Sequence, residues 1–337
     1  MKSKRWLENM FITDDDKNSI SKIRKAIEEH GRFLLTTHQV PDGDGIGCEL
    51  AFLRILRGLN KKVFIINEMK ASKVYSFLSG FSEIQTFDLC RNKKINPDVV
   101  IAFDCSNKDR IGKPLSLVSE DCLIINIDHH QKNTYFGEIN WVCENSSSVG
   151  EMCFIIADYL CRIEKKVAEC LYVSILTDTG SFRYNFDRRT IAVIDKLLEI
   201  GIDPEKIANN IYCNNSIASL KLVGHALVSM QVDPDVPVAW TVVTEQMFKE
   251  TKAEEQDTEI VINMLQSVGK MDFVFLVRER KNEIKFSLRS RNNFNVRKLA
   301  EHFGGGGHNN AAGFSIKGMT VESAMEVFFR YLKQQKR

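Results

Sequence analysis

The chain has 337 residues, of which 44% are hydrophobic, and its 46 Lys and Arg nearly balance 44 Asp and Glu to leave a formal charge of +2. That composition supplies apolar material for two domain cores, and near-neutrality argues against a long electrostatic track for duplex nucleic acid while allowing a small anion in a local pocket. No run approaches the roughly eighteen apolar residues of a membrane span, the charged stretch Met1 to Asn18 lacks a signal-type apolar core, and nine cysteines without a Cys-x-x-Cys pair read as reduced core residues, so the expected setting is the cytoplasm, away from membranes.

In chain order, residues 17–30 predict a helix with Ile20, Ile23 and Ile27 on one face. Phe33, Leu34 and Leu35 form a short apolar run that reads as a buried strand, and the stretch Leu34 to Gly47 is where it empties into a loop. There His38, Asp42 and Asp44 fall within seven residues, spaced by Pro41 and three glycines. A turn can bring the His38 imidazole and Asp42 carboxylate onto one ion, while Asp44 reaches a neighbouring ion. By itself the segment is equally an ordinary strand-to-helix turn, in which Asp and Gly are common. Cys48–Leu59 then has helical spacing and Val63–Ile66 reads as a second strand.

Asp98–Phe103 is another β-branched run and ends on Asp104. Cys122–Ile127 repeats the design and ends on Asp128-His129-His130. Short apolar strands alternating with helical segments predict an α/β fold, a parallel sheet covered on both faces whose ligand crevice lies beyond the carboxyl ends of the strands. Val149–Arg162 comes next, and 167–176 fits a helix or a strand, with Asp178 at its end either way. Thr190–Glu199 resembles an amphipathic helix, and Gly201–Ser216, polar with Pro204 and four asparagines, is a candidate linker. Beyond it, Val238–Thr244, Phe273–Val277 and Ile284–Leu288 read as strands and Asp257–Gln266, Val296–His302 and Val321–Leu332 as helices. The expected organisation is therefore a catalytic domain over 1–190, a helical linker over 191–220 and a smaller α/β domain over 221–337.

Together His38, Asp42, Asp44, Asp104, His129 and Asp178 offer four carboxylates and two imidazoles. Oxygen-rich sites with some imidazole suit Mn2+, with Mg2+ or Co2+ as substitutes. Six ligands exceed what one catalytic ion with open positions accepts, and they fit two ions about 3.5–4 Å apart, the clamp that splits phosphate esters.

At this point the chain resembles the DHH phosphoesterases that carry a C-terminal DHH-associated domain. The resemblance rests on His-x-x-Pro-Asp-x-Asp-x-x-Gly at His38 to Gly47, an isolated Asp104, the triplet Asp128-His129-His130, Asp178-Thr179-Gly180, Ser287-Leu288-Arg289-Ser290, and Gly304 to Gly313. Gly45 stands where relatives often have Ala or Ser, and Cys48 where Ser is common. The resemblance implies that His38, Asp42 and Asp104 hold a first ion and Asp44, Asp104, His129 and Asp178 a second, with Asp104 bridging. It further implies that Asp128 orients a histidine and that His130 faces the scissile phosphate or leaving oxygen. Arg289, Ser290, Gly305, Gly306, Gly307 and His308 are then expected to bind a phosphate of the substrate, helped by a helix start after the glycines, and Arg183 with Tyr184 to touch a base or second phosphate. A catalytic cleft between the domains is part of the same expectation.

Within the family, length and the four-glycine motif point to the branch that degrades short oligoribonucleotides, about two to five nucleotides long, and dephosphorylates adenosine 3′,5′-bisphosphate. Cyclic di-AMP or its linear product pApA is an alternative substrate, and a non-catalytic nucleotide sensor is the alternative of another class. A homodimer is expected by analogy.

Overall fold

Thr13 opens the first helix, α1 (Asp14–Glu29), with a reciprocal cap in which its side chain accepts from Asp16 N while the Asp16 carboxylate accepts from Thr13 N. In this computed structural model, which describes residues 12–290, 294–307 and 309–334, the chain divides into two units, Met1–Asn214 and Asn215–Arg337. His308 and residues 1–11 of the charged N-terminal stretch lie outside the described residues.

The first unit is built on a six-stranded parallel sheet ordered β3-β2-β1-β4-β5-β6. Its strands are β1 (Arg32–Thr36), β2 (Lys62–Asn67), β3 (Ile84–Thr86), β4 (Val99–Phe103), β5 (Leu123–Asp128) and β6 (Ile139–Val142). The central strands are buried nearly throughout, which is why they read as unbroken apolar runs. Strand order reverses direction between β1 and β4, so their carboxyl ends splay apart and open the crevice where such sheets take ligands. The residues just beyond β1, β4 and β5 converge there.

Helix α2 (Gly43–Gly58) starts five residues earlier than its apolar spacing indicates. Asp42 caps it, its carboxylate accepting from Asp44 N at 3.1 Å and Gly45 N at 3.3 Å. The expected ligand loop therefore ends at Asp42, and Asp44 stands in the first helical turn. The glycines serve contact rather than flexibility: a Cβ at Gly47 would sit 2.5 Å from the Cys170 carbonyl oxygen, and one at Gly43 2.8 Å from Thr177 Cβ. Such closeness lets α2 lie against α4 (Lys165–Asp178), the stretch that fitted either a helix or a strand. Between them in sequence is α3 (Val149–Leu160), started by Ser148.

Helix α5 (Arg188–Ile200) and helix α6 (Pro204–Tyr212) complete the first unit. The polar segment 201–216 thus contains a helix, opened by Asp203 as cap and Pro204 in its first turn. Ile202 and Ile207 join the first hydrophobic core, while the next helix, α7 (Ile217–Val228), puts Leu222, Val223 and Ala226 into a core of the second unit. Each helix buries only a narrow apolar stripe, and α7 leaves Ile217, Leu220 and Val228 exposed.

The second unit has a sheet ordered β11-β12-β10-β9-β8-β7, antiparallel except between β8 and β9. Its strands are β7 (Gln231–Val232), β8 (Val238–Val243), β9 (Phe273–Arg280), β10 (Glu283–Ser290), β11 (Gly306–Gly307) and β12 (Ala311–Lys317). Helices α8 (Glu245–Thr251), α9 (Thr258–Leu265), α10 (Val296–His302) and α11 (Val321–Gln334) accompany it. One face buries Phe275, Phe286, Phe314 and Phe328 in a ring-stacked core, and α7 and α9 cover part of the other. After the glycine run the chain enters strand β12, not the helix start expected there; the alternation of Ala312, Phe314 and Ile316 has period two and pairs along β10.

Candidate metal centre

Asp104 is the hub. It stands just past β4 with φ of +57°, a left-handed conformation that Asp tolerates better than most residues, and its amide donates to the Ile127 carbonyl at 3.0 Å. The turn aims the carboxylate back across the sheet end, where it is only 4% exposed. His38 Nε2 lies 3.3 Å from Asp104 Oδ2 and 3.3 Å from Asp42 Oδ2. On the other side His129 Nε2 stands 3.5 Å from Asp178 Oδ2, 3.7 Å from Asp104 Oδ1 and 3.9 Å from Asp44 Oδ2. His130 Nδ1 is 2.8 Å from Asp128 Oδ1 and 3.2 Å from Asp104 Oδ1.

Donor atoms accordingly gather in three overlapping groups: His38, Asp42 and Asp104; Asp44, His129 and Asp178; Asp104, His129 and His130. All six residues singled out as ligands are brought together. Asp128, buried at the end of β5, accepts from the His130 ring and from Asn133 Nδ2 at 2.6 Å, so the imidazole it orients is His130.

Supporting contacts explain why these side chains stay put. Asp44, 1% exposed, accepts from the α3 amides Val149 N at 2.9 Å and Gly150 N at 3.1 Å, and from the Ser174 hydroxyl. His129 Nδ1 meets the Ser146 carbonyl at 3.0 Å, which leaves Nε2 facing the carboxylates. The Ser146–Ser148 turn is pinned by buried Glu151, which accepts from the hydroxyls of Ser146, Ser147 and Thr190 and pairs with Arg189. These residues escaped the sequence reading. The one signal for them was Ser148-x-x-Glu151 ahead of an apolar run, a helix-start pattern.

The electrostatics are those of an anionic cage neutralised by protons. Burial opposes a charge on His38, yet hydrogen bonds to Asp104 and Asp42 raise it to about 10. For His129 burial is again outweighed, by the charges of Asp178, Asp104 and Asp44, which raise it to about 9. His130, despite burial, is raised to about 11 by Asp104 and Asp128. Asp178 is pushed up to about 7, mainly by burial. Asp104 is the exception: although buried, the imidazoles of His130 and His38 hold it well below the usual carboxylate range.

The remaining candidates fare differently. Arg289, half-buried on β10, turns its guanidinium to Glu259 on α9 at 3.0 Å. Ser290 is buried and donates to the Phe294 carbonyl at 2.6 Å, so its hydroxyl holds a turn. Gly306 and Gly307 are exposed and pair with Gly313 and Ala312, with Gly307 at φ of +140° and Gly304 at +73°. Gly305 donates its amide to the Ala300 carbonyl, and a Cβ there would meet the backbone of β12. Arg183 donates to the Gly180 carbonyl at 2.6 Å and lies over the Tyr184 ring in an exposed turn after Asp178.

Divalent ions fit this donor set. Four carboxylates and two imidazoles converge, and Asp104 Oδ1 is buried without a hydrogen-bond partner among the described residues, an orphaned acceptor that a cation satisfies.

Comparison with known proteins agrees with that chemistry. The DHH family N-terminal domain matches residues 32–175 and the DHHA1 domain residues 236–335. The chain is 27% identical over 320 residues to the bifunctional oligoribonuclease and PAP phosphatase NrnA of Thermus thermophilus, covering 94% of this chain and 93% of the relative. It is 24% identical over 303 residues to NrnA of Bacillus subtilis, covering 88% and 93%. The crystal structure of an exopolyphosphatase-related protein from Bacteroides fragilis superposes with a TM-score of 0.88 at 30% identity, covering 95% of this chain and 97% of that one. The protein therefore belongs to the DHH family, with a DHHA1 domain as its second unit.

Proposed function

We propose that the protein is a cytoplasmic, metal-dependent phosphoesterase that hydrolyses short oligoribonucleotides to mononucleotides and adenosine 3′,5′-bisphosphate to AMP. The observation that carries this reading is Asp104, a buried carboxylate with an orphaned oxygen between two groups of ligands. Two relatives named oligoribonuclease and PAP phosphatase over nearly their whole length favour this substrate class. His38, Asp42 and Asp104 would hold one divalent ion and Asp44, Asp104, His129 and Asp178 the other, with Mn2+ preferred and Mg2+ or Co2+ as substitutes. When bound, such ions acidify water and neutralise phosphoryl charge.

The chain's own groups supply the rest. Asp128 fixes the His130 ring through Nδ1, so that Nε2 is free to hold a proton for the phosphoryl or leaving oxygen. Ser146 fixes the tautomer of His129. Arg289 and the exposed Gly306 and Gly307, with His308, would bind a substrate phosphate, the guanidinium exchanging Glu259 for it, while Gly305, its amide held by Ala300, would serve by bringing the loop close to β12. Arg183 and Tyr184 would meet a base. Near-neutral charge speaks against duplex DNA as substrate, and a homodimer is the expected assembly.

Turnover by the purified protein in Mn2+ on a labelled RNA dinucleotide, an RNA 24-mer, adenosine 3′,5′-bisphosphate, cyclic di-AMP and pApA tests the reading. Fast release of mononucleotides from the dinucleotide, with dephosphorylation of the bisphosphate, is the expected result. Dominant cleavage of cyclic di-AMP or pApA would move the protein to second-messenger turnover. Binding of nucleotides without hydrolysis would make it a sensor.

A further inference from the structure

Strand β10 alternates sharply. Ile284, Phe286 and Leu288 enter the aromatic core, while Glu283, Lys285, Ser287 and Arg289 line the opposite, half-exposed face. Register sets Lys285 directly opposite Arg278 and Glu283 opposite Arg280 on β9. On the other side β12 places only small residues beside this row: Ser315 by Lys285, Gly313 by Ser287 and Ala311 by Arg289. The row from Arg289 to Lys285 is thus half-exposed, with Arg278 and Arg280 beside it on β9 and small residues beside it on β12.

Three of these four cations are taken. Arg278, 9% exposed, binds Glu255 at 2.9 Å and Thr258 at 3.0 Å, yet its Nε is buried with no hydrogen-bond partner among the described residues. Arg280 shares Glu255 and also binds Glu283 at 2.8 Å, and Arg289 binds Glu259. Lys285 has no acidic partner among the described residues. Partial burial, then the neighbouring Arg278 and Arg280, hold its ammonium below the usual range against the opposing pull of Glu283 and Glu259, so four cations face Glu255, Glu259 and Glu283 along this stretch.

We propose that Lys285, flanked by Arg278 and Arg280, is a second phosphate subsite that binds a phosphodiester further along the same oligonucleotide whose terminal phosphate Arg289 takes. The inference rests on the oligoribonucleotide reading and deepens it. Four residues of strand separate Arg289 from Lys285, roughly 13 Å, a span one phosphate held by the Arg289 fork does not bridge. Occupancy of both points therefore selects for chain length: a dinucleotide uses the Arg289 end, and a longer chain engages Lys285 as well. Ser287 and Gly313 keep the path between them clear of bulk.

The test is steady-state hydrolysis of 5′-labelled RNA dinucleotide, trinucleotide and pentanucleotide by the full chain in Mn2+, for wild type, Lys285→Ala and Lys285→Arg, across a salt series. In Lys285→Ala, KM for the pentanucleotide should rise about five- to tenfold more than KM for the dinucleotide, with kcat little changed. The slope of log KM against log salt for the pentanucleotide should fall by about 0.7, the release expected for one single-strand phosphate contact. Lys285→Arg should restore both. Equal effects on all three lengths, or none, would overturn the subsite while leaving the oligoribonuclease reading intact. Absence of RNA hydrolysis by wild type would overturn that reading and the subsite with it. A thermal midpoint of Lys285→Ala matching wild type verifies that the fold survives.

Discussion

Gly45→Ala restores a side chain that relatives often carry, and here it should be harmful. A Cβ at Gly45 would lie 2.7 Å from Thr37 Cβ and 2.9 Å from its Cγ2, closer than real contacts allow. Thr37 is fully buried and its hydroxyl donates to the Phe103 carbonyl at 2.9 Å, so it has no empty space to move into. Overpacking of this kind costs about 1–3 kcal/mol. Loss of the buried hydrogen bond adds about 1–3 kcal/mol, and alanine's advantage in a helix returns at most about 1 kcal/mol. The net loss is about 1–5 kcal/mol, which with a urea slope of about 3 kcal/mol/M lowers the urea midpoint by roughly 0.3–1.7 M. Because Thr37 precedes His38, Mn2+ affinity measured by calorimetry should fall as well. Removing the obstacle in Gly45→Ala/Thr37→Gly should give a double mutant more stable than the two single losses add up to. Gly45→Ala at wild-type stability, with additive behaviour in the double mutant, would refute the packing argument.

Asp104→Asn keeps the left-handed backbone but removes the shared charge; hydrolysis of every substrate should drop at least about a thousandfold and bound Mn2+ per chain should fall below two, whereas retained turnover would sink the two-ion assignment. Mn2+ binding should release protons, because His38 and His129, raised to about 10 and about 9 in the ion-free protein, must lose theirs to coordinate. Affinity should therefore climb with pH up to about 10, and calorimetry in buffers of different ionisation heat should count about two protons above pH 7, with Asp178, raised to about 7, adding to the count below it. The sign for ion-free stability is opposite: folded-state values above the unfolded one stabilise below about pH 6.5, and that contribution is lost as pH rises through 9 to 11. Arg289→Ala should raise KM for adenosine 3′,5′-bisphosphate about tenfold with kcat largely kept, and an unchanged KM would remove Arg289 from substrate binding.

By itself the sequence picked out the candidate ligands and the layer that carries them. Buried parallel strands must be apolar throughout, so Phe33–Leu35, Val99–Phe103 and Leu123–Ile127 announced themselves, and each is followed by polar residues of the candidate metal groups. His38, Asp42, Asp104, His129 and Asp178 stand at or just beyond the ends of such elements, a position readable from local pattern. Asp44 was legible by spacing, but its place in the first turn of α2 was not. Only the tertiary structure shows that Thr177, Cys170 and Ser174 of α4 demand glycine opposite them, so that Gly43 and Gly47 mark a helix packed closely on another while Gly45 makes room for Thr37. The Glu151–Arg189 support behind His129 was hidden for the same reason, since its partners lie 38 positions apart. In the second unit, alternation announced β10, yet its pairing with β9 and β12 decided that Ser290 turns inward to bind backbone while Lys285 joins Arg278, Arg280 and Arg289 on one face. Local pattern fixes which residues an element presents; non-local register and close approach fix what they are presented to.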